Sequence, residues 1–266
     1  GMHSPGMTEQ QIDMAKKSAD AFAVCIQGGA ILAVLGLYWK RVVQMIRGLV
    51  GRDSEGLKLC MILLLGFLPA AVIGLKFNDK IEEILFGIKP VVAAWIIGGI
   101  GILVVTAWRK RNPAKGGGKE LSELTLKMAL TIGLLQCVAM CPGTSRSLMT
   151  ICGGLLVGLS VSAAVEYSFL LGVLTLTAAT AKKALWKVDG LGDTYHVMFG
   201  GMKLMLHEFG TLNLLVGSLT AMISAALAVK WLVTYLQRHG LAVFGYYRIL
   251  AGAVVAFLIL VQILPA

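Results

Sequence analysis

Charge is scarce in this chain, and acidic charge is scarcest. Only 14% of its 266 residues are charged, with 14 Asp and Glu against 24 Lys and Arg. A water-soluble domain carries about 25% charged residues, so that class is excluded. Cysteine is confined to Cys25, Cys60, Cys137, Cys141 and Cys152, each in or beside an apolar run, which excludes a disulfide framework. Cys137 and Cys141 are one helical turn apart, yet no histidine or carboxylate lies beside them. His3, His196, His207 and His239 fall in no zinc spacing. No cleavable signal peptide is expected, because the first 17 residues are polar and lack an apolar run. Short alternating apolar segments are lacking too, which excludes a membrane barrel.

What is present is apolar and continuous. Hydrophobic residues make up 57% of the chain, the mean hydropathy is +0.81, and the runs have the length of bilayer-crossing helices. The fold class is therefore an all-α polytopic membrane protein, a single membrane domain over 1–266. Candidate spans lie near 20–39, 57–75, 91–108, 163–185, 212–236 and 241–264, about six in all. The formal charge of +10 would suggest nucleic acid in a soluble protein. Here no nucleic-acid partner is expected, because most cations flank apolar runs, where anionic headgroups explain them. Segments 40–56, 109–126 and 237–240 are read as basic loops on the cytoplasmic side, with both termini outside.

Segment 124–159 is apolar at both ends and broken by CPGTSRS at 141–147. Neither flank is long enough to cross a bilayer, so the spacing predicts a re-entrant helix-loop-helix. Irregular backbone at membrane depth is tolerated only when buried in protein or lining a wet cavity, and an arginine there costs about 2.5–3.5 kcal/mol or more. The tip should face a polar cavity. Ser18-Ala19 leading to Gln27-Gly28-Gly29 aligns weakly with Ser162-Ala163 leading to Leu171-Gly172. Three spans follow each anchor, which suggests inverted-topology repeats at 18–111 and 124–266, the first without a re-entrant loop of its own.

Arg146 offers a planar fork, and Ser145, Ser147 and Thr144 offer hydroxyls, with Thr150 one turn further on. A helix starting near Ser147 would add its free N–H groups, which together suit a phosphate or diphosphate. The bland alternative is that Arg146 fastens the loop by pairing with Glu166 or with backbone carbonyls. Glu166 could equally be a metal ligand or a base. Gln27 could line the cavity or act as interhelical glue, and Gln136 is read as a packing residue. Arg248, beside Tyr246 and Tyr247, is expected to snorkel to the interface.

At these residues the chain resembles the undecaprenyl-diphosphate phosphatases, also known as the bacitracin-resistance proteins. The likeness is carried by Pro142-Gly143-Thr144-Ser145-Arg146-Ser147 with Thr150, by Gly153-Gly154-Leu155, and by Glu166-Tyr167-Ser168-Phe169-Leu170-Leu171. In the first half, Phe22 and the stretch from Ile26-Gln27-Gly28-Gly29 to Val34 are similar to the family. The resemblance implies a bacterial inner-membrane enzyme that converts undecaprenyl diphosphate to undecaprenyl phosphate and inorganic phosphate, recycling the carrier for peptidoglycan synthesis. It also implies a divalent cation, Mg²⁺ or Ca²⁺. On this reading Arg146, Ser145 and Ser147 are catalytic, and Gly143, Thr144, Thr150, Gln27 and Glu166 bind substrate. The metal ligands are left unassigned and a homodimer is left open.

The family's other motif, E-G-x-T-E-F-L-P-V-S-S-T-G-H-like, has no counterpart among residues 1–17. The expectation is a chain starting at an internal methionine, Met2 or Met7, with impaired activity and reduced stability in detergent. A natural short form and a lipid-binding paralogue that does not hydrolyse are the other readings. A different class, a flippase of undecaprenyl phosphate or a related anionic lipid, would share the broken segment and inverted repeats.

Overall fold

The computed structural model describes residues 22, 26–85, 87–112, 117–185 and 200–263. Among them are nine α-helices and no strand: α1 (Ile26–Leu37), α2 (Trp39–Leu49), α3 (Ser54–Leu85), α4 (Ile88–Arg111), α5 (Leu126–Val138), α6 (Arg146–Leu156), α7 (Val161–Leu185), α8 (Gly200–His239) and α9 (Ala242–Leu260). Five stretches are long and apolar enough to cross a membrane: Ser54–Phe77, Ile88–Arg111, Val161–Ala181, Phe209–His239 and Ala242–Leu260. A sixth is reached if α1 and α2, which adjoin at Tyr38, count as one broken span. The protein is thus a multi-pass helical membrane protein. Residues 1–21, with both candidate starts, lie outside the described part.

Local chemistry sets the helix ends. Asp53 Oδ1 accepts from Gly56 N at 2.9 Å ahead of α3. Thr125 Oγ1 accepts from Met128 N ahead of α5, and Ser160 Oγ from Ala163 N ahead of α7; all three are N-caps. α6 stops in a Schellman turn: Gly158 adopts φ +97, its N–H bonds Leu155 O, and Leu159 N bonds Gly154 O. Pro90 sits in the first turn of α4, where its missing N–H costs nothing. The basic stretch after α1 is largely helical rather than a loop. Trp39, Val42, Val43 and Ile46 recur at helical spacing among Lys40, Arg41 and Arg47, so α2 is an amphipathic helix.

The chain forms two compact units, 1–37 with 173–229, and 38–172 with 230–266. In the first, the Phe22 and Phe209 rings lie 4.7 Å apart. A methyl on Gly29 would overlap the backbone of Ser218, so α1 and α8 meet backbone to backbone there. α8 breaks at Gly210, φ 70 and ψ 157.

In the second unit α3 packs on α2 and α5, α4 on α9 and α6, and α5 on α6. Close crossings occur where glycines face each other: Gly48 and Gly56, Gly66 and Gly133, Gly99 and Gly245. Lipid tails are as apolar as leucine, so membrane helices associate through such close packing. α6, too short to cross, is buried without interruption from Thr150 to Leu155. Its neighbour α5 is short as well, and the pair with its connecting turn has the helix-loop-helix form expected of 124–159.

Candidate active site

The turn between α5 and α6 carries the Cys141–Ser147 stretch. Thr144 is buried and aims backward: its Oγ1 donates to Cys141 O at 2.7 Å or to Val138 O at 3.2 Å. Val138 ends α5 and Cys141 lies in the turn itself, so Thr144 builds the turn. Gly143, at φ +93, has no room for a side chain. A Cβ would stand 3.0 Å from Val91 O and 3.1 Å from the Trp95 ring. The tip is therefore seated on α4.

Ser145 follows at φ 65, ψ 106, in the left-handed region. For a residue other than glycine such backbone costs roughly 1–3 kcal/mol, and it concentrates at functional sites. The same residue occupies the N-cap position of α6 without making a side-chain cap, and its carbonyl accepts the bond from Met149 N. The amide end and positive dipole end of α6 thus begin at Arg146. The Arg146 guanidinium lies beside α7, with Nη2 3.2 Å from where a Cβ on Gly172 would stand.

Behind the tip lies a buried hydroxyl pair. Thr150 and Ser168 are 2.6 Å apart, Thr150 Oγ1 is within 3.1 Å of Arg146 O and Ser147 O, and Ser168 Oγ reaches Ser147 O at 3.3 Å. Ser168 joins α7 to the first turn of α6, and its only sequence signal was its place in the EYSFLL stretch.

Glu166 pairs with Arg41, Nε to Oε1 at 2.8 Å, while Arg41 Nη1 donates to Gln44. As one of several cations in the basic segment 40–56, Arg41 carries no local sign of this pairing. Gln27 is exposed on α1, in the other unit. Gln136 is buried as expected of a packing residue, but its Oε1 has no partner among the described residues.

Arg248 departs most from expectation. It does not snorkel: it is 8% exposed, and its Nη2 donates to Gly143 O and to Ala94 O. A signal was present in Gly245 and Gly252, which share the Arg248 face of α9 and pack on α4. Tyr246 and Tyr247 point outward instead, at 63% and 66% exposure.

The tip so built matches known proteins along nearly the whole chain. Residues 6–254 match the family described as bacitracin resistance protein BacA. The chain belongs to the BacA family. An undecaprenyl-diphosphatase of Sorangium cellulosum is 40% identical, over 91% of this chain and 74% of that protein. Undecaprenyl-diphosphatase 3 of Acinetobacter baylyi is 38% identical, over 94% and 86%. Undecaprenyl-diphosphatase 2 of Rhodospirillum rubrum is 42% identical, over 90% and 80%.

Among the described residues of this BacA-family chain, no group of three His, Cys, Asp or Glu side chains is placed to hold a metal ion. Glu166 is committed to Arg41. The described tip supplies cations, hydroxyls and amides, which suit an anion and do not suit a divalent cation.

Proposed function

We propose that this protein hydrolyses undecaprenyl diphosphate to undecaprenyl phosphate and inorganic phosphate from the bacterial inner membrane, with the α5–α6 tip as its diphosphate site. The relatives named undecaprenyl-diphosphatase support the reaction. The observation that carries the site is the left-handed Ser145, which turns the chain so that α6 starts at Arg146 within a helical membrane domain.

In the net reaction the anhydride P–O bond breaks, the lipid phosphate leaves, and water supplies the new oxygen of inorganic phosphate. Arg146 would neutralise the diphosphate through its fork. The Ser145 and Ser147 hydroxyls, with the first N–H groups of α6, would orient the terminal phosphoryl group. Phosphoryl transfer is catalysed chiefly by such positioning and charge stabilisation. Thr144 and Thr150, whose hydroxyls are engaged on carbonyls and Ser168, would shape the loop, and Gly143 would let it seat on α4. The long prenyl tail would stay in lipid while the headgroup enters. The Mg²⁺ or Ca²⁺ requirement is a further proposal; the described residues offer it no ligand set, and none of these roles depends on it.

Phosphate release from a prenyl diphosphate by the purified chain, with and without divalent metal, tests this reading. Arg146→Ala should abolish release while the protein stays folded. Release at the wild-type rate from Arg146→Ala would refute the site. Headgroup movement between leaflets without release would mark a lipid carrier instead.

A further inference from the structure

We propose that Arg248 is a positioning residue for this reaction: from α9 it holds the Gly143 carbonyl, and so fixes the path of the chain through Ser145 into Arg146. The inference rests on the α5–α6 tip being the diphosphate site.

Three helices clamp the turn. α5 grips it through Thr144, whose hydroxyl reaches the carbonyl of Val138, the last residue of α5, at 3.2 Å. α4 grips it through the seat that Val91 and Trp95 make for Gly143. α9 grips it through Arg248, whose Nη2 meets Gly143 O. A cradle for that guanidinium is built into α4, where Gly98 lacks a side chain. A Cβ there would stand 3.1 Å from Nη2 and 3.6 Å from Nε. Gly245 and Gly252, one turn to either side of Arg248, bring α9 close enough for the reach.

A cation is an expensive way to hold two carbonyls, Gly143 O and Ala94 O. Arg248 lies six residues into α9, roughly 9 Å along the axis, and ionisable groups inside membrane segments are costly wherever they lack a use. Its Nε is buried with no partner among the described residues, so the side chain does not simply complete a hydrogen-bond inventory. What the guanidinium achieves is to hold the turn two residues ahead of the strained Ser145. Without that hold, Ser145 can relax to ordinary φ and carry Arg146 with it. Misplacing a reacting group by about 1 Å can cost 10²-fold in rate. Lysine would be a poor substitute, because its compact and strongly hydrated ammonium lacks the planar fork.

The test is steady-state hydrolysis of a prenyl diphosphate by the full purified chain, for Arg248→Met, Arg248→Lys, Gly98→Ala and Arg146→Ala, with thermal unfolding of each. Arg248→Met is expected to lower kcat by about 100-fold with little change in KM, and Arg248→Lys is expected to recover part of that loss. A merely structural role would reduce the folded fraction and leave the kcat of folded protein unchanged. If the Arg248 variants do not fold, Gly98→Ala decides, since its methyl, 3.1 Å from Nη2, crowds the guanidinium and shifts it by a few tenths of an ångström: a lowered kcat supports the inference and a wild-type kcat overturns it. Wild-type kcat in folded Arg248→Met, or a rise in KM alone, also overturns it. An inactive Arg146→Ala beside a fully active Arg248→Met sinks the positioning role and spares the site. A fully active Arg146→Ala sinks both.

Discussion

Gly66 and Tyr167 set up a double substitution whose combined effect should be smaller than one of its parts. Tyr167 is fully buried on α7 and donates its hydroxyl to Ile62 O at 3.1 Å. A methyl placed on Gly66 of α3 would overlap that hydroxyl, whereas the ring carbon bearing it would lie 3.3 Å away. Tyr167→Phe loses one buried hydrogen bond, about 1 kcal/mol. Gly66→Ala alone drives its methyl into that hydroxyl, an overpacking of about 1–3 kcal/mol, against a helix-propensity gain of about 1 kcal/mol.

In the double variant the overlap is gone, the propensity gain remains, and the 3.3 Å contact needs only a small shift. Gly66→Ala/Tyr167→Phe should therefore be more stable than Gly66→Ala by up to about 2 kcal/mol. At about 2–4 °C per kcal/mol, the gap is readable by circular dichroism on thermal unfolding in detergent. A double variant as unstable as the sum of its parts would refute the geometry. Activity should follow stability, because α3 packs on α5, which carries the tip.

Two further predictions concern pairs around the site. Thr150→Val and Ser168→Ala should be coupled by about 0.6–1.7 kcal/mol, the range of interhelical hydrogen bonds in membranes, and a double-mutant cycle that closes additively would remove that bond from the account. Arg41→Met and Glu166→Gln should couple by up to about 1 kcal/mol, since the pair is partly exposed. Most of that coupling should vanish in 1 M salt, about 3 Å of screening length; equilibrium unfolding at low and high salt checks it.

Much of this protein was legible in its residues. Bilayer-spanning helices satisfy their own backbone within one segment, so length and hydropathy locate them without knowledge of neighbours. That is why five of the expected spans reappear near their predicted bounds, and why 124–159, too short on either side of CPGTSRS, resolves into α5, a turn and α6. The α2 helix is less legible, because its cations interrupt an apolar stripe too short to span a bilayer.

Pairings across the chain lay beyond such reading. Arg41 meets Glu166 across 125 residues, and Arg248 meets Gly143 across 105. Nothing near Glu166 names Arg41 rather than Arg146 as its partner. Arg109 shows the same limit: read as a loop charge, it donates to Leu159 O at the close of α6. The class, the spans, the broken segment and the residue types at its tip are written in the residues, because those follow from local hydrophobicity and backbone chemistry. Which cation faces the tip, which hydroxyls turn inward and where Ser145 is forced left-handed come from packing, because those depend on how closely glycine-faced helices approach one another.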